Sequence, residues 1–424
     1  MREMKDSGIE WVGEIPKSWT ITILSALFSE RKCKNSGLTE NNLLSLSYGN
    51  IVRKNIESNE GLLPASFETY NIIELGNIIF RLTDLQNDKR SLRTGLCQER
   101  GIITSAYVTL QIRSGDSPRY MHYLFHAYDL CKVFYGMGDG VRQGMNYEDL
   151  KRLRILRPDQ ETQRRIADYL DRKCSQIDAI IARQQEVIEK LKAYKLSVIT
   201  EAVTKGLNPN VPMKDSGVEW IGEIPEHWDF RKIKNCCLIV DCKNRTPDPD
   251  PDGEYIVVRT TCIRDGSFSY EGSYHTNAEN FKEWTAKGQP QHGDIFFTRE
   301  APMGEACLVP DTDNLCMGQR VMFFRPLDGS DPRYILYSIY GPLAREYIDS
   351  KNKGSTVGHL KLGQVASLPL FYCPPKEQSE IADYLDKRCG AIDKVVDKKT
   401  EIISKLTDYK KSLIYEVVTG KKEV

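Results

Sequence analysis

The sequence has 424 residues, with 59 Lys and Arg against 59 Asp and Glu, so its formal net charge is zero. The length exceeds one ordinary domain, and no run approaches the roughly 18 apolar residues that a membrane span needs. Zero net charge neither supports nor excludes a nucleic-acid partner, because the distribution of charge matters more than its sum. The start, Met1-Arg2-Glu3-Met4-Lys5, has no apolar run of the secretory kind, so a cytoplasmic protein is expected. The 12 Cys include no Cys-x-x-Cys pair, and Cys236-Cys237 are adjacent, which suits reduced thiols and no structural metal.

The chain opens on a lead segment, Met4-Lys5-Asp6-Ser7-Gly8-Ile9-Glu10-Trp11-Val12-Gly13-Glu14-Ile15-Pro16, that ends at Trp19. Its Gly and Pro punctuation predicts a loop pinned by the Trp pair. A variable domain follows over 20–157. Strands are expected at 78–80 and 108–112 and a helix over 119–135. Pro158 then sets an extended approach to a long helix over 163–204.

That helix carries a sustained seam. Leu170, Ile177, Leu191 and Val198 sit on one seven-residue grid, and Cys174, Ile181, Ile188 and Ala202 on a second. At about 1.5 Å per residue the helix would run roughly 60 Å. Gln184 and Lys195 interrupt the seam. Such residues either fix register or mark the seam's edge, where long side chains snorkel to water.

Residues 205–212 end the helix and link to a second copy of everything. The lead segment returns at 213–228, with twelve of the sixteen positions from Met4 to Trp19 unchanged. A second variable domain spans 229–374, with strands expected at 256–258, 295–297 and 321–324 and a helix over 332–350. Pro374-Pro375 leads into a second helix over 378–419. Ile166-Ala167-Asp168-Tyr169-Leu170-Asp171 recurs there as Ile381-Ala382-Asp383-Tyr384-Leu385-Asp386. The seam recurs as Leu385, Ile392, Leu406 and Leu413 with Cys389, Val396, Ile403 and Val417, and its breaks as Lys399 and Lys410. The natural partner of each seam is the other, and the duplication implies pseudo-two-fold symmetry. The segments expected are 1–157, 158–205, 206–228, 229–374 and 375–424.

Catalytic signatures are missing. There is no Walker A loop, no His-Glu-x-x-His and no Gly-x-Ser-x-Gly. Gly136-Met137-Gly138-Asp139-Gly140 lacks the spacing of a phosphate cradle. Asp241-Cys242-Lys243 is an acid–x–Lys string, but no second acid precedes it to share a metal ion. His122 and His126, four apart on a predicted helix, have no carboxylate beside them and read as a partly exposed helix face. What remains suits recognition, since Lys and Arg neutralise phosphates and Arg, Asn and Gln read base edges. The candidates in the first domain are Arg81, Arg93, Arg142, Gln143 and Asn146. Those in the second are Lys243, Arg245, Arg299, Gln319, Arg320, Lys353, Ser355, Thr356, His359 and Lys361.

Together these features resemble the specificity subunit of type I restriction-modification systems. The resemblance rests on Pro374-Pro375-Lys376-Glu377-Gln378, the repeated Ile-Ala-Asp-Tyr-Leu-Asp, and Ile177-Asp178 with Ile392-Asp393. It rests also on Gly222-Glu223-Ile224-Pro225 with Trp228, on the run from Gly293 to Pro302, and on Gln319-Arg320. It covers the whole chain, although Arg157-Pro158-Asp159 lacks the double Pro in the first copy. The resemblance implies an α+β chain in which two mixed α/β target-recognition domains alternate with two long helices that pack as an antiparallel coiled coil. Each domain would read one half of a split DNA site. The helices would set the spacer and dock two modification (methyltransferase) subunits, with restriction (motor-nuclease) subunits completing the complex. S-adenosylmethionine, ATP and Mg would belong to those partners, and the chain itself would not be catalytic. Two other readings stay open from the residues alone: a coiled-coil scaffold that binds only proteins, and a nuclease or methyltransferase in its own right.

Overall fold

The structure is a computed structural model, and it describes residues 2–55, 64, 66–85, 92–137, 144–327, 329–352 and 358–424. Two compact units divide the chain: Met1–Gln184 with Thr400–Val424, and Gln185–Lys399. Each unit therefore holds one variable domain, here called a head, and a part of both long helices.

The first head is built on a four-stranded antiparallel sheet in the order Phe28–Glu30, Val108–Ile112, Ile78–Phe80, Thr94–Leu96. The second repeats that order with Cys237–Val240, Val321–Pro326, Ile295–Thr298 and Ala306–Leu308. Ile78–Phe80 and the stretches 295–297 and 321–324 of the other central strands read as unbroken apolar runs because both faces are covered. In the second head Ile295 and Phe297 join one core cluster and Phe296, between them, joins another, as a period of two requires.

Each sheet is followed by a helix with a matched start. Ser117 caps Pro118–Leu130 and Asp331 caps Pro332–Tyr340, each with Pro in the first turn, where its missing N–H costs nothing. Both helices end earlier than expected. The first gives way to a short 3-10 turn, Val133–Gly136. The second stops at Gly341, and Pro342, which cannot donate to the preceding turn, begins a separate helix, Pro342–Asn352. The last strand of each head, Arg154–Arg157 or Pro369–Tyr372, pairs with its first, Thr20–Ile23 or Asp229–Lys232.

The lead segments depart from expectation. They are two-stranded hairpins, Met4–Asp6 with Glu14–Pro16 and Met213–Asp215 with Glu223–Pro225. Only the second Trp of each pair is a core residue: Trp19 and Trp228 are buried, whereas Trp220 is exposed. Trp228 also donates its ring N–H to Glu377 at 3.1 Å.

The long helices span Gln160–Lys205, 46 residues, and Pro375–Val418, 44 residues. Within each unit they run antiparallel. In the first, Leu170, Cys174 and Ile177 share a core with Leu413, Ile414 and Val417. In the second, Val198, Ala202 and Val203 share one with Ile381, Leu385 and Cys389. Ile188 and Ile392 are also buried, while Ile181, Leu191, Val396, Ile403 and Leu406 are half-buried. Lys195 and Lys410 do not simply snorkel to water. Each ammonium bonds an Asp of the opposite helix, Lys195 to Asp393 and Lys410 to Asp178.

A buried glutamine ties each long helix to its head. Gln163 Oε1 accepts from the Ser117 N–H at 2.9 Å, and its amide donates to Asp116 and to the Pro158 carbonyl. Gln378 repeats this, accepting from the Asp331 N–H at 2.9 Å and donating to the Cys373 carbonyl at 2.7 Å. Arg119 pairs with Asp168 and Asp171, and Arg333 with Asp383 and Asp386. The repeated Ile-Ala-Asp-Tyr-Leu-Asp motif thus supplies both buried seam residues and the acids that fix the head helix.

Candidate nucleic-acid interface

The second head gathers most of its candidate side chains at one end of its sheet. Asp241, Cys242, Lys243 and Arg245 follow the strand Cys237–Val240, Arg299 and Glu300 follow Ile295–Thr298, and Gln319 and Arg320 precede Val321–Pro326. Antiparallel pairing of Thr298 with Val321 and of Val240 with Phe323 brings these three loops together.

Two carboxylates organise the cluster. Glu283 bonds Lys243 Nζ at 2.7 Å and also pairs with Arg245. Both cations lie over the Trp284 ring, each 4.8 Å from its centroid, an arrangement favoured by the negative face of the indole. Bonding from Lys243, then the charges of Arg245 and Lys243, holds the Glu283 carboxyl below its usual pKa against the opposing effect of burial. Glu300, with a side chain only 15% exposed, faces Arg320 Nε at 3.1 Å and His359 Nδ1 at 2.8 Å. Gln319 donates to the Asn244 carbonyl at 3.1 Å, and Lys361 stands exposed at the start of a short helix, Leu362–Ala366.

Arg299 corrects an expectation. Its side chain is 10% exposed, and its donors meet both oxygens of Asp241 at 3.0 Å and the Leu360 carbonyl at 2.9 Å, with His359 Nε2 at 3.2 Å. It is a clamp that joins three loops, not a surface reader. The same bonds answer the acid–x–Lys string, since Asp241 is committed to Arg299 and Lys243 to Glu283.

In the first head, Arg93 is a second correction. It is fully buried, donating to the carbonyls of Thr83 at 2.9 Å and Asp84 at 3.3 Å, and cannot reach DNA. Asn146 is exposed but caps the helix Tyr147–Leu150, accepting from the Glu148 N–H at 2.7 Å. Arg81 is half-buried at the end of Ile78–Phe80, where its N–H bonds the Arg93 carbonyl at 2.8 Å. Arg142, Gln143, Lys353, Ser355 and Thr356 lie outside the described residues. His122 and His126 are half-buried, in keeping with a partly exposed helix face, and burial pulls their pKa down to about 4 and about 3. Among the described residues no group of three His, Cys, Asp or Glu side chains is placed to hold a metal ion, and no helix is long and apolar enough to cross a membrane.

Comparison with known proteins agrees with this architecture. The family model described as type I restriction modification DNA specificity domain matches residues 225–406, the second head and most of the second long helix. The first half of the chain repeats the matched motifs and the sheet order. Residues 225–406 therefore carry a type I restriction modification DNA specificity domain.

The chain is similar along its length to a relative from Methanocaldococcus jannaschii, the type I restriction enzyme MjaX specificity subunit. They are 22% identical over 403 residues, 91% of this chain and 89% of the relative. A second relative from that organism, the type I restriction enzyme MjaIX specificity subunit, is 26% identical over 171 residues, 39% of this chain and 38% of its own length. A solved chain from a study of assembly and conformational transition of the type I R-M system shares the fold. Its TM-score is 0.67 at 14% identity, covering 96% of this chain and 99% of that one.

Sequence reasoning missed Glu283, Trp284 and Glu300 as organisers of the cluster. Glu300 lies inside the run that carries the resemblance. Glu283 and Trp284 gave no signal, because they are about 40 residues from the cations they hold.

Proposed function

We propose that this chain is a type I restriction-modification specificity subunit and recognises a bipartite DNA site, each head reading one half. The observation that carries the reading is the convergence of Lys243, Arg245, Gln319, Arg320, His359 and Lys361 at one end of the second head's sheet. A protein-only scaffold has no use for it, whereas phosphate and base contacts draw on these residue types. Arg81 and Asn146, with Arg142, Gln143, Lys353, Ser355 and Thr356, are proposed as further contacts. The long helices set the unread spacer and dock the modification subunits, a role that their uninterrupted 46 and 44 residues support.

In this reading the chain performs no chemistry. Methyl transfer and cleavage belong to modification and restriction subunits, which use S-adenosylmethionine, ATP and Mg, and the complex works in the cytoplasm. Glu283 is engaged with Lys243 and Arg245, and Glu300 with Arg320 and His359, so their work is to bind, aim and exclude.

The test is selection of duplexes from random DNA by the full-length chain, followed by binding of the selected site at rising salt. The reading expects two short conserved blocks separated by an unread gap, and steep weakening with salt as counterions are released. Binding without sequence preference, or turnover by the chain alone with methyl donor or metal, would refute it.

A further inference from the structure

Arg320 holds a backbone conformation that its residue type disfavours. Its φ is +74°, in the left-handed region where Cβ crowds the following carbonyl. Two backbone bonds keep it there. Its N–H donates to Cys242 Sγ at 3.2 Å, and its carbonyl accepts from the Arg299 N–H at 2.9 Å. A glycine would adopt this turn without cost, yet an arginine occupies it.

The side chain is 46% exposed and approaches Glu300 through Nε. Glu300 is itself held. Its other oxygen takes the His359 Nδ1 proton at 2.8 Å, which leaves His359 Nε2 to accept from Arg299 at 3.2 Å. Arg299 is anchored in turn by Asp241 and Leu360. A mostly buried acid on a rigid support thus grips the inner side of an arginine whose backbone is also fixed. A solvated surface cation needs neither device. A side chain that must arrive pre-aimed needs both.

We propose that Arg320 reads a guanine in the half-site of the second head, and that Glu300 is the positioning residue that aims it. The proposal rests on the DNA-recognition reading above. The argument for guanine is geometric. A guanidinium is a planar fork of donors only, and guanine alone offers two acceptors, O6 and N7, side by side in the major groove. A phosphate can be met from many angles and gains little from a pre-set donor.

The test is the same random-duplex selection with full-length wild type, Arg320→Ala, Arg320→Lys and Glu300→Gln. Arg320→Ala and Arg320→Lys should each flatten one guanine position of one half-site, by on the order of ten- to a hundredfold, and leave the other half-site intact. Glu300→Gln should weaken the same position less. The intact half-site shows that the chain is folded. Should Arg320→Ala lose the second half-site altogether, Arg320→Lys, which keeps the charge, decides. A uniform loss across all positions, or an Arg320→Lys profile equal to wild type, would mark Arg320 as a phosphate contact and overturn the proposal while the bipartite reading stands. A wild-type chain that selects no bipartite site defeats that reading, and this proposal with it.

Discussion

Lys195 of the first long helix bonds both carboxylate oxygens of Asp393 in the second, at 2.8 and 2.7 Å. In the other unit Lys410 does the same with Asp178, at 2.7 and 2.6 Å. The two pairs exchange places under the internal duplication, so a polar break in each apolar seam is met by an acid from the other copy.

Asp393→Ala should therefore lower stability modestly. Lys195 is 23% exposed and Asp393 49%, so the loss should be about 0.5–1 kcal/mol, the upper part of the range for partly exposed pairs. Urea unfolding at low and high salt checks this. The difference between wild type and variant should shrink as salt rises, and the exchanged pair Lys195→Asp with Asp393→Lys should recover most of it.

The buried glutamines should matter more. Gln378 is fully enclosed, and its removal strands the Asp331 N–H and the Cys373 carbonyl. Gln378→Ala should cost about 2–4 kcal/mol, since each unsatisfied buried group costs about 1–3 kcal/mol. Thermal unfolding would reveal it, and a change under about 0.5 kcal/mol, the usual surface range, would contradict the account of the junction.

Arg93→Ala should destabilise the first head by about 3 kcal/mol or more, because it removes a buried cation that holds the Thr83 and Asp84 carbonyls. Random-duplex selection should show no single base position relaxed. A position-specific change at unaltered stability would restore Arg93 as a reader.

Acid should loosen both junctions. Burial works to raise the Asp331 carboxyl, but bonds from the Arg333 side chain and backbone, the Arg333 charge and Ser379 outweigh it and leave the carboxyl below its ordinary value of 3.8. Asp116 behaves likewise, with burial opposed by Arg157, Gln163 and Ser114. A carboxyl with a depressed folded pKa binds fewer protons folded than unfolded. Its contribution is therefore complete above about pH 4 and is lost as pH falls through the folded value. Asp331→Asn, which keeps an N-cap, should be less stable than wild type at pH 7, and the gap should narrow below about pH 4.

Much of the fold was legible because duplication and periodicity are local signals. The seam residues Leu170, Ile177, Leu385 and Leu413 follow from spacing alone, and the strands 78–80 and 108–112 match the observed ones. The lead hairpins were not legible. Their strands are three residues long, too short for alternation to show, and Gly and Pro dominated the reading. The site was legible as residue types but not as roles. Arg93 and Arg299 look like any other arginine in sequence, and only the fold shows their donors turned inward. Glu283 and Glu300 act through space on residues up to about 60 positions away, which no spacing rule reports.

Removing one heptad from both long helices tests the spacer role. Selection from random DNA should then return the same two half-sites with a changed gap, or no binding. An unchanged gap would refute the helices as a ruler.

The central claim is that this chain chooses the DNA sequence its complex modifies. Methylome sequencing of the host, with and without this chain, tests that most directly. One bipartite methylated motif should be present with the chain and vanish without it, and Arg320→Ala should relax that motif in one half only. Identical methylated motifs in both hosts would contradict the account.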